Sequence, residues 1–401
     1  MVVTGRKVGR WLALVIVLGL AQPGSARAEL SVPPALPALD DDLAAYRVQR
    51  PGLVLIDPTV RRAFLSGLAP ATREHWCGEA IEGWPRHGVA RHVRADIQVG
   101  DTLAWTMMIA GARILAFTDR HAAAAIVTNL RRWAHGDALS RIDEPKDLNS
   151  FYNLDRTLLP VIQAYALVRE TPSITAEDRI AIDAWLGRVM ERRLALREFD
   201  PGKRTTWNNH RYLFDATTMA FGTLFGDHAL FRDGIERFLI ALEQLTSSGG
   251  LPFELERGPL ALHYQRHAAA SLIAIAEMAA VQGYDLYGAE STKGRRLADA
   301  VTFLADALRN PSRLDRALER LDLPPAPVQD LDFLVRRGHE RHYMAWFETY
   351  LLRFPDAPET VNLKPFVFTQ GEATRPLIDD YSGGSMTCFF ARTPTKDNSA
   401  R

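Results

Sequence analysis

Beyond about residue 100, apolar residues recur along the chain at a spacing close to the helical period of about 3.6. In residues 154–168 this row is Leu154, Leu158, Val161, Ile162, Tyr165 and Leu167. In 177–196 it is Ile180, Ile182, Trp185, Leu186, Val189 and Met190, with Arg and Glu between. The same pattern predicts helices over 103–117, 122–133, 228–245, 260–281, 295–308 and 342–352. Sustained strand alternation is scarce, and β-branched residues are not concentrated. Short breakers separate the helices: Thr171-Pro172-Ser173, Asp200-Pro201-Gly202, Gly226-Asp227 and the stretch 247–252. Asp227 and Ser173 are the expected N-caps. Many helices of similar length on short links imply antiparallel neighbours wound in sequence. Without an exact internal repeat, a closed helical toroid is expected rather than a solenoid. Residues 29–60 are Pro-rich and read as a surface wrap, 310–335 as a long loop, and 393–401 as a frayed polar tail.

The N-terminus breaks the amphipathic pattern. Arg6, Lys7 and Arg10 precede a nearly unbroken apolar run from Trp11 to Leu20, and Ala26-Arg27-Ala28 follows. This is the layout of a secretory signal, with cleavage expected after Ala28 and a periplasmic mature chain. The apolar run is too short to span a bilayer comfortably. The chain carries 48 basic and 48 acidic residues. Residues 1–28 hold four basic residues and no acid, so the remainder has 44 against 48. A mildly acidic protein of this kind lacks the broadly basic face that nucleic-acid binding needs. Cys77 and Cys388 are the two cysteines; one disulfide and two buried thiols are both compatible with the residues. No Cys/His spacing suits zinc.

Against this background residues 207–212, Trp-Asn-Asn-His-Arg-Tyr, are distinctive. From Pro201 to Phe214 there is no carboxylate, while Lys203, Arg204 and Arg211 supply positive charge. Paired amides and an imidazole in a cationic stretch suit an acidic ligand from which a proton is moved. Downstream lie Leu251-Pro252-Phe253-Glu254-Leu255-Glu256-Arg257 and Ala261-Leu262-His263-Tyr264. Arg257 and Tyr264 are about two turns apart if they share one helix.

Asn208-Asn209-His210-x-Tyr212, followed by Leu251-Pro252-x-Glu254-Leu255-x-Arg257 and Ala261-Leu262-x-Tyr264, resembles the periplasmic alginate lyases, polysaccharide lyase family 5. Residues 133–139, 345–350 and 371–375 are similar to further segments of that family, and the likeness extends over residues 100–380. It implies an all-α, incomplete (α/α) toroid over 101–392, preceded by the signal (1–28) and a wrap with a lid loop (29–100). It also implies β-elimination of a 1,4-linked uronan without metal or organic cofactor. At matching positions, Asn209 and Arg257 would hold the uronate carboxylate, and His210 and Tyr264 would transfer protons. Lys203, Arg204, Trp207, Asn208, Arg211 and Arg266 would line the acidic polysaccharide. Two departures bear on the substrate. Leu213 stands where the family has Trp, and the lid counterpart at 83–101 lacks Lys and Tyr, carrying Arg86, His87, Arg91, His92 and Arg94. A glucuronate-containing polymer is therefore an expectation beside alginate.

Simpler readings compete for each motif. Asn208-Asn209-His210 could merely cap a helix starting near Arg211. Trp133 and Trp346 read as core, whereas Trp207 is the aromatic expected to meet sugar. His339-Glu340-Arg341-His342 reads as a solvated charged stretch rather than a metal site. A glycoside hydrolase would need two carboxylates about one bond, and Glu254 and Glu256 would point apart in an extended segment. A non-catalytic polymer-binding protein would keep the basic groove without needing Tyr264.

Overall fold

The computed structural model describes residues 43–93, 98–142, 148–196, 202–337 and 340–393. The signal at 1–28, the first part of the wrap, four residues of the lid counterpart and all but the first residue of the tail lie outside these. Fifteen α-helices are described: α1 (Pro58–Ser66), α2 (Pro70–Cys77), α3 (Gln98–Phe117), α4 (Arg120–His135), α5 (Leu148–Ala166), α6 (Ala176–Ala195), α7 (Asn209–Phe225), α8 (His228–Gln244), α9 (Pro252–Leu255), α10 (Ala261–Val281), α11 (Leu297–Arg309), α12 (Ser312–Glu319), α13 (Phe347–Arg353), α14 (Pro358–Val367) and α15 (Met386–Phe390). Two short strand pairs join them, His92–Val93 parallel to Arg141–Ile142 and Ile378–Asp379 antiparallel to Gly384–Ser385.

Alternate helices are neighbours. α3 packs on α5, α5 on α7 and α7 on α10, while α4, α8 and α11 each pack against the inner helix that precedes them. That connectivity makes two concentric layers, an incomplete (α/α) toroid as expected. Composition assigns the layers. Inner α10 is buried along nearly its whole length, and its alanines (Ala268, Ala269, Ala270, Ala274, Ala276, Ala279) let neighbouring backbones approach. Outer α4 buries Ile126, Leu130 and Trp133 and turns Arg131 and Arg132 outward. The α7–α8 hairpin shows how locally the turns are written. Gly226 ends α7 in a left-handed conformation, and the Asp227 carboxylate caps α8 by accepting from Ala229 and Leu230 N–H. A Cβ on Gly222 would lie 2.9 Å from Leu230 Cβ, so the hairpin closes only with glycine there.

Several expectations change. Thr175, not Ser173, caps α6. The stretch 310–335 contains α12, an eight-residue helix that buries Leu314, Ala317 and Leu318. Its length is too short for periodicity to stand out from the flanking loop. Arg341 and His342 are buried rather than solvated; Arg341 Nε lies 3.4 Å from Asp380, and His342 N–H donates to Ile378. Trp133 and Trp346 are core, as expected.

The described part of the N-terminal wrap is anchored. Gln282, just past α10, accepts from the N–H groups of Gln49 and Arg50 and donates to Leu53 O at 2.8 Å. Leu55 N–H donates to Gln163, and Val54, Leu55 and Ile56 are buried. Cys77 and Cys388 form a disulfide across 311 positions, fastening α2 to α15. Arg61 of α1 donates to the carbonyls of Cys388 and Ala391 at the same junction. Replacing both cysteines with serine should lower unfolding stability by about 3 kcal/mol, chiefly by freeing the unfolded chain. A urea midpoint unchanged from wild type would exclude that role.

Candidate active site

The 207–212 motif splits at the start of α7. Asn208 is the N-cap, its side chain accepting from His210 N–H at 3.1 Å, so the helix begins two residues before the expected Arg211. Asn209 is the first helical residue and is fully buried. Its amide nitrogen donates to the Tyr152 hydroxyl at 3.3 Å, while Oδ1 has no partner. His210 follows, its ring 4.5 Å from the Tyr152 ring. Local capping thus accounts for Asn208 but leaves Asn209 and His210 available for chemistry.

Arg257 and Tyr264 do not share a helix. Arg257 stands before a 3-10 turn (Gly258–Leu260), and Tyr264 lies in the first turn of α10. The turn folds the chain back so that the Arg257 guanidinium carbon sits 3.8 Å from the Tyr264 ring centroid. Arg257 also acts electrostatically on His210. Contacts through Tyr152 and Arg257 therefore gather Asn209, His210, Arg257 and Tyr264 at one place, from segments roughly 50 residues apart.

The surroundings favour neutral imidazoles. Burial, then Arg257 and Arg193, push the His210 pKa down to about 4. Burial with Arg266, Arg337 and Arg257 pushes His263 down to about 3. His267, fully buried on α10, lies well below its usual range from burial and Arg266. Several guanidiniums thus add to burial in keeping these imidazoles unprotonated. Activity depending on neutral His210 should hold level from about pH 7.5 down to 5 and fall only near 4, whereas a free imidazole would lose it near 6.5. A kcat/KM profile with its acid limb at 6.5 would contradict this assignment.

Other cationic residues are engaged elsewhere. Arg211 pairs with Asp215 one turn on, and Asp215 also holds Arg237 at 3.1 Å. Arg211 thereby belongs to an ion-pair network centred on Asp215. Arg266 is fully buried, bonded to Tyr343 O and His263 and stacked on the Tyr343 ring. Arg204, exposed, pairs with Glu256 at 3.0 Å. Lys203 is exposed beside it, and Trp207 is half-buried with Arg237 5.7 Å from its ring.

Sequence reasoning missed Tyr152, His267, Tyr343 and Tyr381. His267 Nε2 and Asn209 both meet the Tyr152 hydroxyl, and the Tyr381 ring stands 4.0 Å from that of His267. One signal was present: Asp155 and Arg156 interrupt the apolar face of α5 just after Tyr152. Asp155 makes a buried two-bond pair with Arg193, and Arg156 pairs with Asp380 at 2.7 Å. Among the described residues no three His, Cys, Asp or Glu side chains cluster to hold a metal.

Residues 91–314 match the family described as alginate lyase. The chain belongs to the alginate lyase family. It is a lyase, so the hydrolase and non-catalytic readings fall away. A polysaccharide lyase of Stenotrophomonas maltophilia (strain K279a) is 29% identical over 283 residues, covering 69% of this chain and 76% of that protein. An alginate lyase of Pseudomonas fluorescens (strain SBW25) is 26% identical over 275 residues, which span 67% of this chain and 66% of the relative. The crystal structure of alginate lyase A1-III from Sphingomonas species A1 is 25% identical, with a TM-score of 0.70 over 88% of this lyase and 99% of that chain. A histidine-to-alanine variant of A1-III complexed with tetrasaccharide gives 0.72 at 25% identity, covering 88% and 98%. Such likeness over nearly the whole of those chains agrees with the two-layered helical ring of the lyase.

Proposed function

We propose that this lyase depolymerises a 1,4-linked polyuronate, alginate or a related glucuronate-containing polymer, by β-elimination at the Asn209–His210–Arg257–Tyr264 site. The observation that carries the reading is the stack of Arg257 on Tyr264, within electrostatic reach of His210. The C5 proton of a uronate becomes removable only when charge growing on its carboxylate is stabilised. Arg257 supplies positive charge for this, and the Asn209 amide, now resting on Tyr152 through a long bond, supplies a donor. A base takes the C5 proton, the C4–C5 double bond forms, the C4–O4 bond breaks, and an acid protonates the leaving oxygen.

Two divisions of labour fit these groups. Where the C5 proton and leaving oxygen share a face, Tyr264 serves as both base and acid. Where they lie on opposite faces, neutral His210 takes the proton and Tyr264 gives one. The depressed His210 pKa supports the second role, since the imidazole is unprotonated near neutrality. Export to the periplasm belongs to the same proposal and rests on the charged, apolar and small-residue layout of residues 1–28.

Ultraviolet absorbance of unsaturated uronate tests the reading, with polymannuronate, polyguluronate, polyglucuronate and hyaluronan as the panel. A rising signal on one or more polymers names the substrate. No signal on any of the four would defeat the polyuronate assignment.

A further inference from the structure

Glu254 is a carboxyl group that the elimination does not use, yet it lies at the junction of both halves of the site. It belongs to α9, three residues before Arg257, and Arg257 N–H donates to its carbonyl. Its side chain crosses 45 positions to α7, where Oε1 accepts the backbone N–H of Asn209 at 2.6 Å. The group is fully buried, and Oε2 has no hydrogen-bond partner.

We infer that Glu254 is a positioning residue whose carboxyl group docks the Arg257 turn onto the first turn of α7, fixing the distance between the two groups that hold the substrate carboxylate. Asn209 can reach that carboxylate only with its side chain, and its backbone is placed by this bond. The same bond places the turn that carries Arg257. The inference rests on the proposed elimination.

The charge state follows from the surroundings. Arg257 on its own segment and Tyr212 on α7 are the charged or titratable groups whose fields Glu254 shares. From α10, Gln265 packs the same turn as a neutral amide, accepting from Leu251 N–H at 2.9 Å. One N–H and one guanidinium favour the carboxylate, but an unpaired oxygen in a dry site opposes it more strongly. Burial raises the pKa to about 8, against the Asn209 bond and Arg257. Kept neutral, Glu254 leaves the charge of Arg257 for the substrate. Ionised, it would compete for that charge.

Glu254→Ala and Glu254→Gln separate geometry from charge. Alanine removes the link and should lower kcat/KM about 100-fold, the scale of a displacement near 1 Å at a reacting centre. Glutamine keeps an acceptor for Asn209 N–H and should restore activity to within about threefold of wild type. In wild type KM should rise above pH 8 as Glu254 ionises, and in Glu254→Gln that rise should vanish. Thermal melting reads the same group without substrate. The unfolded carboxyl ionises near 4.5 and the folded one near 8, so wild type should lose stability relative to Glu254→Gln as pH rises between these values, with no further change above 8. A glutamine variant as impaired as alanine, an alkaline KM rise that persists in it, or a melting difference independent of pH would each overturn the inference. Were wild type inactive on every uronan, the elimination reading would fail while melting still decided the state of Glu254.

Discussion

Tyr264→Phe should lower kcat on the preferred polyuronate by about a thousandfold while leaving KM within a few-fold of wild type. The substitution deletes one oxygen and keeps the ring. Because Arg257 stacks on that ring at 3.8 Å, the phenylalanine still supports the guanidinium, and substrate carboxylate binding should survive. What disappears is the hydroxyl proposed to protonate the departing O4 oxygen, a contribution that would be made in the transition state and not in the bound ground state. The split between kcat and KM is therefore the informative readout. Steady-state absorbance kinetics with purified polymer would measure it. Activity within tenfold of wild type would remove Tyr264 from the proton path, and a KM rise with kcat intact would make it a binding residue.

Arg375→Ala should destabilise the fold by about 3–5 kcal/mol, a large share of the roughly 5–15 kcal/mol that holds a domain together. Arg375 and Glu348 are both essentially inaccessible and meet through two parallel bonds of 2.6 and 2.8 Å. Arg375 also reaches Glu372 and the Thr393 carbonyl, and its guanidinium lies 5.1 Å from the Trp76 ring. One side chain thus ties α13, the C-terminal segment and α2 together. Removing it leaves the Glu348 carboxylate buried with, among the described residues, only the Thr387 hydroxyl donating to it. That stranded charge causes most of the loss, so Arg375→Met with Glu348→Gln should be milder than Arg375→Ala alone. Urea midpoints at constant slope would report both. A single variant within 1 kcal/mol of wild type would show that the network is dispensable.

Much of the helical frame was legible because a helix is written by neighbours three and four residues apart. Residues 228–244 show this, with Gly226 and Asp227 marking the turn and cap within a few positions. Shorter elements were not legible; α1, α2, α12 and α14 are too brief for periodicity to separate them from loops. The site was partly legible. Asn209, His210, Arg257 and Tyr264 stand out by type and spacing, and folding gathers them. The reading of 201–214 as free of carboxylates holds along the chain and fails in space. Asp215 takes Arg211, Glu256 takes Arg204, and Glu254 comes to Asn209.

By itself the sequence determined where most of the longer helices run and which residue types could move a proton beside a carboxylate. These depend on interactions within about one helical turn and on the chemistry of single side chains. Tertiary structure decided the pairings: Cys77 with Cys388, Glu254 with the start of α7, Tyr152 with Asn209 and His267. It also decided which arginines pair with which acids, Arg193 with Asp155, Arg204 with Glu256 and Arg211 with Asp215. Partner choice of this kind is set by packing across tens to hundreds of positions. Burial then fixes the charge each partner carries, as the low pKa of His210 and the high pKa of Glu254 show.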